Sequence, residues 1–196
     1  MTIIGLDPGF TFAYSVFDLD TRWKGAIKLV SFGSERVPGS PKGNDGQRAV
    51  WDWALALLSN RFADAAYFAS DAPILNTERP TNVAGLGAFN AVSQFCDGKQ
   101  LHRYPRWVAV NTVGMLAGNF TPFRLTRWKP GAAAFRSAIS KLAGRPIKAN
   151  PHELDAIAQG FTLAYKQLGW KPSGWIDPKI TRQIEQHKAA MDLFRR

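Results

Sequence analysis

The order of hydrophobic patterns along the chain predicts an α/β fold: a central five-stranded mixed sheet, its first three strands antiparallel, flanked by helices. Three observations carry that expectation. Short runs rich in β-branched and aromatic residues open the chain, tight turn residues separate them, and longer stretches with helical spacing then alternate with further strand-like runs. At 196 residues with 45% hydrophobic residues, the chain can fill one sizeable core without splitting into two.

Residues 3–6 are apolar and closed by Asp7-Pro8-Gly9, and residues 11–19 follow up to Asp18-Leu19-Asp20. They read as two tightly joined strands. A third strand is expected at 26–32, before a loop at 33–46 rich in Gly, Pro, Ser and Lys. Val50, Trp53, Ala54, Leu57 and Leu58 recur at helical spacing, with Asp52 and Arg61 off that stripe. The run 65–69, ending in Ser70-Asp71, is a fourth strand. After Arg79-Pro80-Thr81-Asn82, the residues Ala88, Ala91, Val92, Phe95 and Cys96 mark another helix face. Residues 107–110 read as the fifth strand, giving the order βββαβαβ.

Residues 130–142 read as a helix ended by Gly144, with Arg136 and Lys141 on its polar side. Leu154, Ile157, Ala158, Phe161, Ala164, Tyr165 and Leu168 form the stripe of a later helix. Its start is well signalled: Asn150 as N-cap, Pro151 at the first helical position and Glu153 closing a capping box. The expected organisation is one domain over 1–168 and a basic tail over 169–196, helical beyond Trp170-Lys171-Pro172-Ser173-Gly174-Trp175.

The net charge of +10 is unevenly placed. Residues 1–98 carry 8 Lys/Arg against 10 Asp/Glu, whereas residues 99–196 carry 17 against 5. A polycationic half joined to an acidic one suits a protein that grips phosphates with one surface and keeps carboxylates for chemistry on another; a basic surface adopted for solubility is the plain alternative. The single cysteine, Cys96, allows neither an internal disulfide nor a cysteine cage for zinc. No basic leader with an apolar run opens the sequence, and no stretch reaches eighteen uninterrupted apolar residues, so a cytoplasmic protein is expected.

Four side chains are candidates for chemistry: Asp7 after the first strand, Asp71 after the fourth, and His152 with Asp155 in the first turns of the late helix. In α/β sheets functional groups gather at strand ends and helix starts. His152 and Asp155, three residues apart, share a helix face off the apolar stripe. Each alone has an ordinary explanation: a turn aspartate, a strand end, a solvated histidine, an acid favoured by the helix dipole. Together, three carboxylates and an imidazole suit Mg²⁺ or Mn²⁺. Two such ions, about 3.5 to 4 Å apart, serve in-line phosphodiester hydrolysis. His152 as ligand, as water-orienting group and as proton acceptor are all compatible with its position.

The segment Ile3-Ile4-Gly5-Leu6-Asp7-Pro8-Gly9 resembles the opening strand of RuvC-type Holliday junction resolvases. The stretch from Phe68-Ala69-Ser70-Asp71 through Asn82-Val83-Ala84-Gly85-Leu86-Gly87-Ala88 is similar to their second motif, and Ala149-Asn150-Pro151-His152-Glu153-Leu154-Asp155-Ala156-Ile157-Ala158 to their closing helix. The resemblance spans about residues 1–168, and residues 135–144 are similar to the basic helix before the last motif. It implies a ribonuclease H-like fold, a homodimer, and Mg²⁺-dependent nicking of opposing strands of a four-way junction, with Asp7, Asp71, His152 and Asp155 as catalytic metal ligands. The tail and the divergent motifs would suit a phage enzyme.

The chain also departs from that family. Asp71 stands where Glu is common, with Glu78 as a nearby substitute, and Ile74 stands where many relatives carry an aromatic residue, so no cleavage preference follows. For DNA contact the candidates are Arg124, Arg127, Lys129, Arg136, Lys141, Arg145 and Lys148, with Trp128 and Phe135 among them for stacking. Competing readings are another nuclease of this fold acting on flaps or RNA–DNA hybrids, a sugar-kinase or actin-like ATPase, and a non-catalytic DNA-binding module. The ATPase fold usually needs two such domains and more glycine-rich phosphate loops than this length provides.

Overall fold

The computed structural model describes residues 1–20, 26–39, 43–71, 83–118 and 132–177, together with 180, 183, 184 and 186. Strands β1 (Thr2–Asp7), β2 (Thr11–Leu19) and β3 (Ile27–Arg36) form an antiparallel meander. Then follow α1 (Gly43–Phe62), β4 (Tyr67–Asp71), α2 (Val83–Phe95), β5 (Gln100–Tyr104), α3 (Arg106–Leu116), α4 (Ala132–Ala143) and α5 (Pro151–Lys166). The sheet order is β3-β2-β1-β4-β5, with β4 parallel to both β1 and β5. This is the five-stranded mixed sheet the sequence predicts.

Alternation along β1 separates two cores. Ile4 and Leu6 point toward α1 and α2, where they join Phe12, Val50, Leu58, Phe68 and Val92. Ile3 points the other way, into a cluster with Phe17, Ala69, Val110, Ile139, Ile157 and Phe161 from the α3, α4 and α5 side. The sheet is thus covered on both faces, and strands buried on both faces carry near-continuous apolar runs.

The fifth strand needs correction. Residues 107–110 lie in α3, and the strand is the more polar Gln100–Tyr104. A short apolar run fits a strand and a buried helix segment equally well. Here Trp107 is exposed while Ala109, Val110 and Val113 are buried, which is helical spacing, and Pro105 supplies a fixed φ at the helix start. As an edge strand β5 is only half covered, so its sequence carries little apolar signal. β3 also runs on to Arg36, and α1 begins at Gly43, both within the stretch expected as loop.

Gly144 ends α4 as expected, at φ 65°, with Arg145 N–H bonded to the Ser140 carbonyl at 3.2 Å. Past α5, Trp170 is 4% exposed and stacks on Phe161, and Trp175 packs against Tyr165. The first residues beyond 168 therefore join the core. No described helix is long and apolar enough to cross a membrane.

Candidate metal centre

Helix α5 lies unusually close to the sheet, and glycine makes this possible. A Cβ on Gly5 would sit 2.1 Å from the Ala156 carbonyl oxygen, and one on Gly160 would sit 2.1 Å from Phe17 Cε2. The close approach is secured by Ser15, whose buried hydroxyl donates to the Ala156 carbonyl at 2.9 Å. From this crossing, two strand residues rise about 6.6 Å to Asp7. Four helix residues run about 6 Å back to His152. The two ends come out level.

Asp7 and His152 therefore meet: His152 Nδ1 and Asp7 Oδ2 are 2.7 Å apart. The imidazole is half exposed, at 51%, against 17% for the Asp7 side chain. The hydrogen bond with Asp7 holds the His152 pKa above its ordinary value, despite opposing desolvation. Asp71 lies on the neighbouring parallel strand: Leu6 pairs with Ser70, so Asp7 and Asp71 follow side by side at the strand ends. Both face the α5 side, Asp7 in step with Gly5 and Asp71 with Ala69.

The start of α5 is fixed by the expected capping box. Asn150 Oδ1 accepts from Glu153 N–H at 3.0 Å, and Glu153 Oε2 accepts from Asn150 N–H at 2.9 Å, with Pro151 in the first turn. Ser34 of β3 adds a tether absent from the sequence reading, donating to Glu153 Oε1 at 2.9 Å and accepting from Asn150 Nδ2 at 2.8 Å. The cap thereby ties α5 to the meander as well as closing its own first turn.

Asp155 lies one turn further along and deeper, with its side chain 13% exposed. Arg106 Nε donates to its Oδ2 at 2.8 Å. Burial pushes the Asp155 carboxyl up to about 6; Arg106 opposes that shift and the charge of Asp7 adds to it. Arg106 is a residue the sequence reading missed, because the strand assigned to 107–110 hid a helix start there. Gln159, four residues beyond Asp155, donates to the Tyr104 carbonyl at 2.9 Å and so anchors the chain just before Arg106.

Among the described residues, no three acidic, histidine or cysteine side chains converge as a ready cage for an ion. The carboxylates of Asp7 and Asp155 are engaged with His152 and Arg106 instead. Their chemistry nevertheless fits a hard divalent cation. Asp155 Oδ1 is buried and has no hydrogen-bond partner among the described residues, and buried carboxylate oxygens in that state are costly unless a cation or donor meets them. Asp7, Asp155 and His152, with Asp71 on the next strand, are the residues that would hold it. A hollow of about 580 Å³ elsewhere, lined by Leu116, Lys141, Trp170 and Trp175, contains none of these four.

The basic candidates divide. Arg136, Lys141, Arg145 and Lys148 are exposed on and after α4. Three of them also hold the main chain: Arg136 donates to the Ala149 carbonyl at 3.3 Å, Lys141 to that of Ala117 at 2.7 Å and Arg145 to that of Leu29 at 3.1 Å. Phe135 is 3% exposed and packs in the core, which corrects its assignment to base stacking. Arg124, Arg127, Trp128 and Lys129 lie outside the described residues, as do Ile74 and Glu78.

A β-meander continued by two parallel strands, with acidic residues at the ends of β1 and β4 and a closing helix laid across the sheet, is the ribonuclease H-like fold. Among solved structures the chain is similar to RuvC of Thermus thermophilus, with a TM-score of 0.58 and 18% identity over 88% of this chain and 99% of that one. The same enzyme in complex with Holliday junction substrate matches with a TM-score of 0.58 and 17% identity, over 88% and 99% of the two chains. No protein-family model matches the sequence, and no curated protein does.

Proposed function

We propose that this chain is a divalent-metal-dependent endonuclease that resolves Holliday junctions by nicking DNA phosphodiester bonds, acting as a homodimer. The observation that carries the reading is the meeting of Asp7 and His152, 145 residues apart in sequence and 2.7 Å apart in space, at the level where β1 and β4 end. The match to RuvC, a protein solved with a Holliday junction substrate, supports the choice of substrate, and the basic second half of the chain supports a phosphate-rich partner.

Bound Mg²⁺ or Mn²⁺, two ions in the full site, would polarise the scissile phosphate and make water a stronger nucleophile. Asp7, Asp71 and Asp155 supply hard oxygen ligands, and the strand ends hold the first two in place. His152, with Nδ1 committed to Asp7, keeps Nε2 as the ring nitrogen left to hold or release a proton. Arg136, Lys141, Arg145 and Lys148, with Arg124, Arg127 and Lys129, supply the phosphate contacts.

The test compares wild type with Asp7→Asn and Asp155→Asn on four-way junction, duplex, flap and RNA–DNA hybrid in Mg²⁺. Wild type is expected to nick the junction symmetrically, and both variants to bind it without cutting. Undiminished cleavage by either variant removes the proposed site; preference for hybrid or flap keeps the site and changes the substrate.

A further inference from the structure

Arg106 is the first residue of α3 and follows Pro105 directly. Its contact with Asp155 differs from an ordinary surface bridge in two respects. Both side chains are largely covered, at 25% and 13% exposure. The pair is also built into the fold, because Gln159, on the same face of α5 as Asp155, is bonded to the Tyr104 carbonyl two residues before Arg106. One oxygen of Asp155 is thus held by a permanent cation, while the other, Oδ1, is buried with no hydrogen-bond partner among the described residues.

We propose that Arg106 is a positioning residue that serves as a resident counter-ion: it holds Asp155 while no divalent ion is bound, and it competes with the ion for that carboxylate. The inference rests on the reading of Asp155 as an ion ligand. The guanidinium already answers the negative charge of Asp155 in this structure. Arginine stays charged at all working pH values and donates along fixed directions, so it keeps the carboxylate aimed. A unit positive charge roughly 5 Å from a divalent ion opposes its binding even in a water-like dielectric, by about fivefold with full screening at about 0.1 M salt and about fifteenfold with none, a half-buried pair lying between.

The experiment titrates Mn²⁺ into the full chain without DNA, by calorimetry, at about 0.1 M salt. Arg106→Gln is expected to bind Mn²⁺ about five- to fifteenfold more tightly than wild type, whereas Arg106→Lys, which keeps the charge, binds as wild type does. Without metal, Arg106→Gln melts below wild type, and added Mn²⁺ closes that gap. Equal or weaker Mn²⁺ binding by folded Arg106→Gln overturns the inference and leaves the proposed function standing. No Mn²⁺ binding by wild type at millimolar ion overturns the proposed function and the inference with it. Should Arg106→Gln fail to fold, the Arg106 Nε–H resonance of the wild type gives the answer. It is expected to shift as Mg²⁺ is added, and a resonance unmoved at saturating Mg²⁺ sinks the idea.

Discussion

The two faces of the sheet are packed by different means. On the side of α1 and α2 the contacts with the sheet are apolar, with Leu58, Val50, Phe68, Ala88 and Val92 filling space, and the close glycine approach there, Gly87 against the Gln47 carbonyl, joins the two helices to each other. On the side of α5 the apolar cluster is larger, and it is pinned by buried polar ties, Ser15 to the Ala156 carbonyl and Gln159 to the Tyr104 carbonyl. Glycine contacts add a tolerance of tenths of an ångström, at Gly5 and Gly160. Hydrophobic packing supplies stability without fixing exact register, whereas a buried hydrogen bond is costly to misplace. The face that carries the candidate site is the one whose register is fixed.

Breaking the first face tests that division most strongly. Leu58→Ala, at a fully buried position, is expected to lose about 2–5 kcal/mol in denaturant unfolding, while junction cleavage per folded molecule stays unchanged. A fall in specific activity would mean that the α1 and α2 layer also positions the site. Gly160→Ala should cost less, about 1–3 kcal/mol, because Phe17 has to yield to the new methyl. Its cleavage rate well below the melting temperature is expected to drop by about a hundredfold, since the α5 start moves off Asp7.

Gln159→Leu sharpens the same contrast at a single bond. It strands the Tyr104 carbonyl, at a cost of about 1–3 kcal/mol. By loosening the segment that aims Arg106, it should also shift Mn²⁺ affinity in the direction of Arg106→Gln, measured by the same titration. The smallest effect is electrostatic. With its folded pKa raised to about 6 above the unfolded value, Asp155 adds stability fully present below about pH 4 and lost as pH rises through about 6. In metal-free buffer, wild-type stability minus that of Asp155→Asn should therefore fall between those limits, as read from urea midpoints. A difference that rises over that window contradicts the burial argument.

How much of this was legible in the sequence follows the same line. Periodicity exposed β1, β2, α1 and α5, because each carries a clear apolar stripe or run, and the capping chemistry of Asn150, Pro151 and Glu153 located the start of α5 at the correct residue. β5 was not legible: a half-covered edge strand with the sequence Gln-Leu-His-Arg-Tyr offers no alternation, while the apolar start of α3 imitated one. Asp7, His152 and Asp155 were singled out from residue type and order, and the fold brings them into one neighbourhood. Arg106, Ser34 and Gln159 were not found, since their roles depend on partners 49, 119 and 55 residues away and no local pattern marks them.

The crossing of β1 and α5 has a further consequence. Where Gly5 meets Ala156 and Gly160, the parts in contact are main chain, which has no rotamers to choose among. Asp7 and the first turn of α5 are thus set against each other like two rulers clamped at one mark, and the spacing of the acids is inherited from peptide geometry. Residues 7, 152 and 155 can be exchanged to alter charge or reach while the clamp stays shut. The side chains of this candidate centre are open to redesign one at a time, whereas its framework is not.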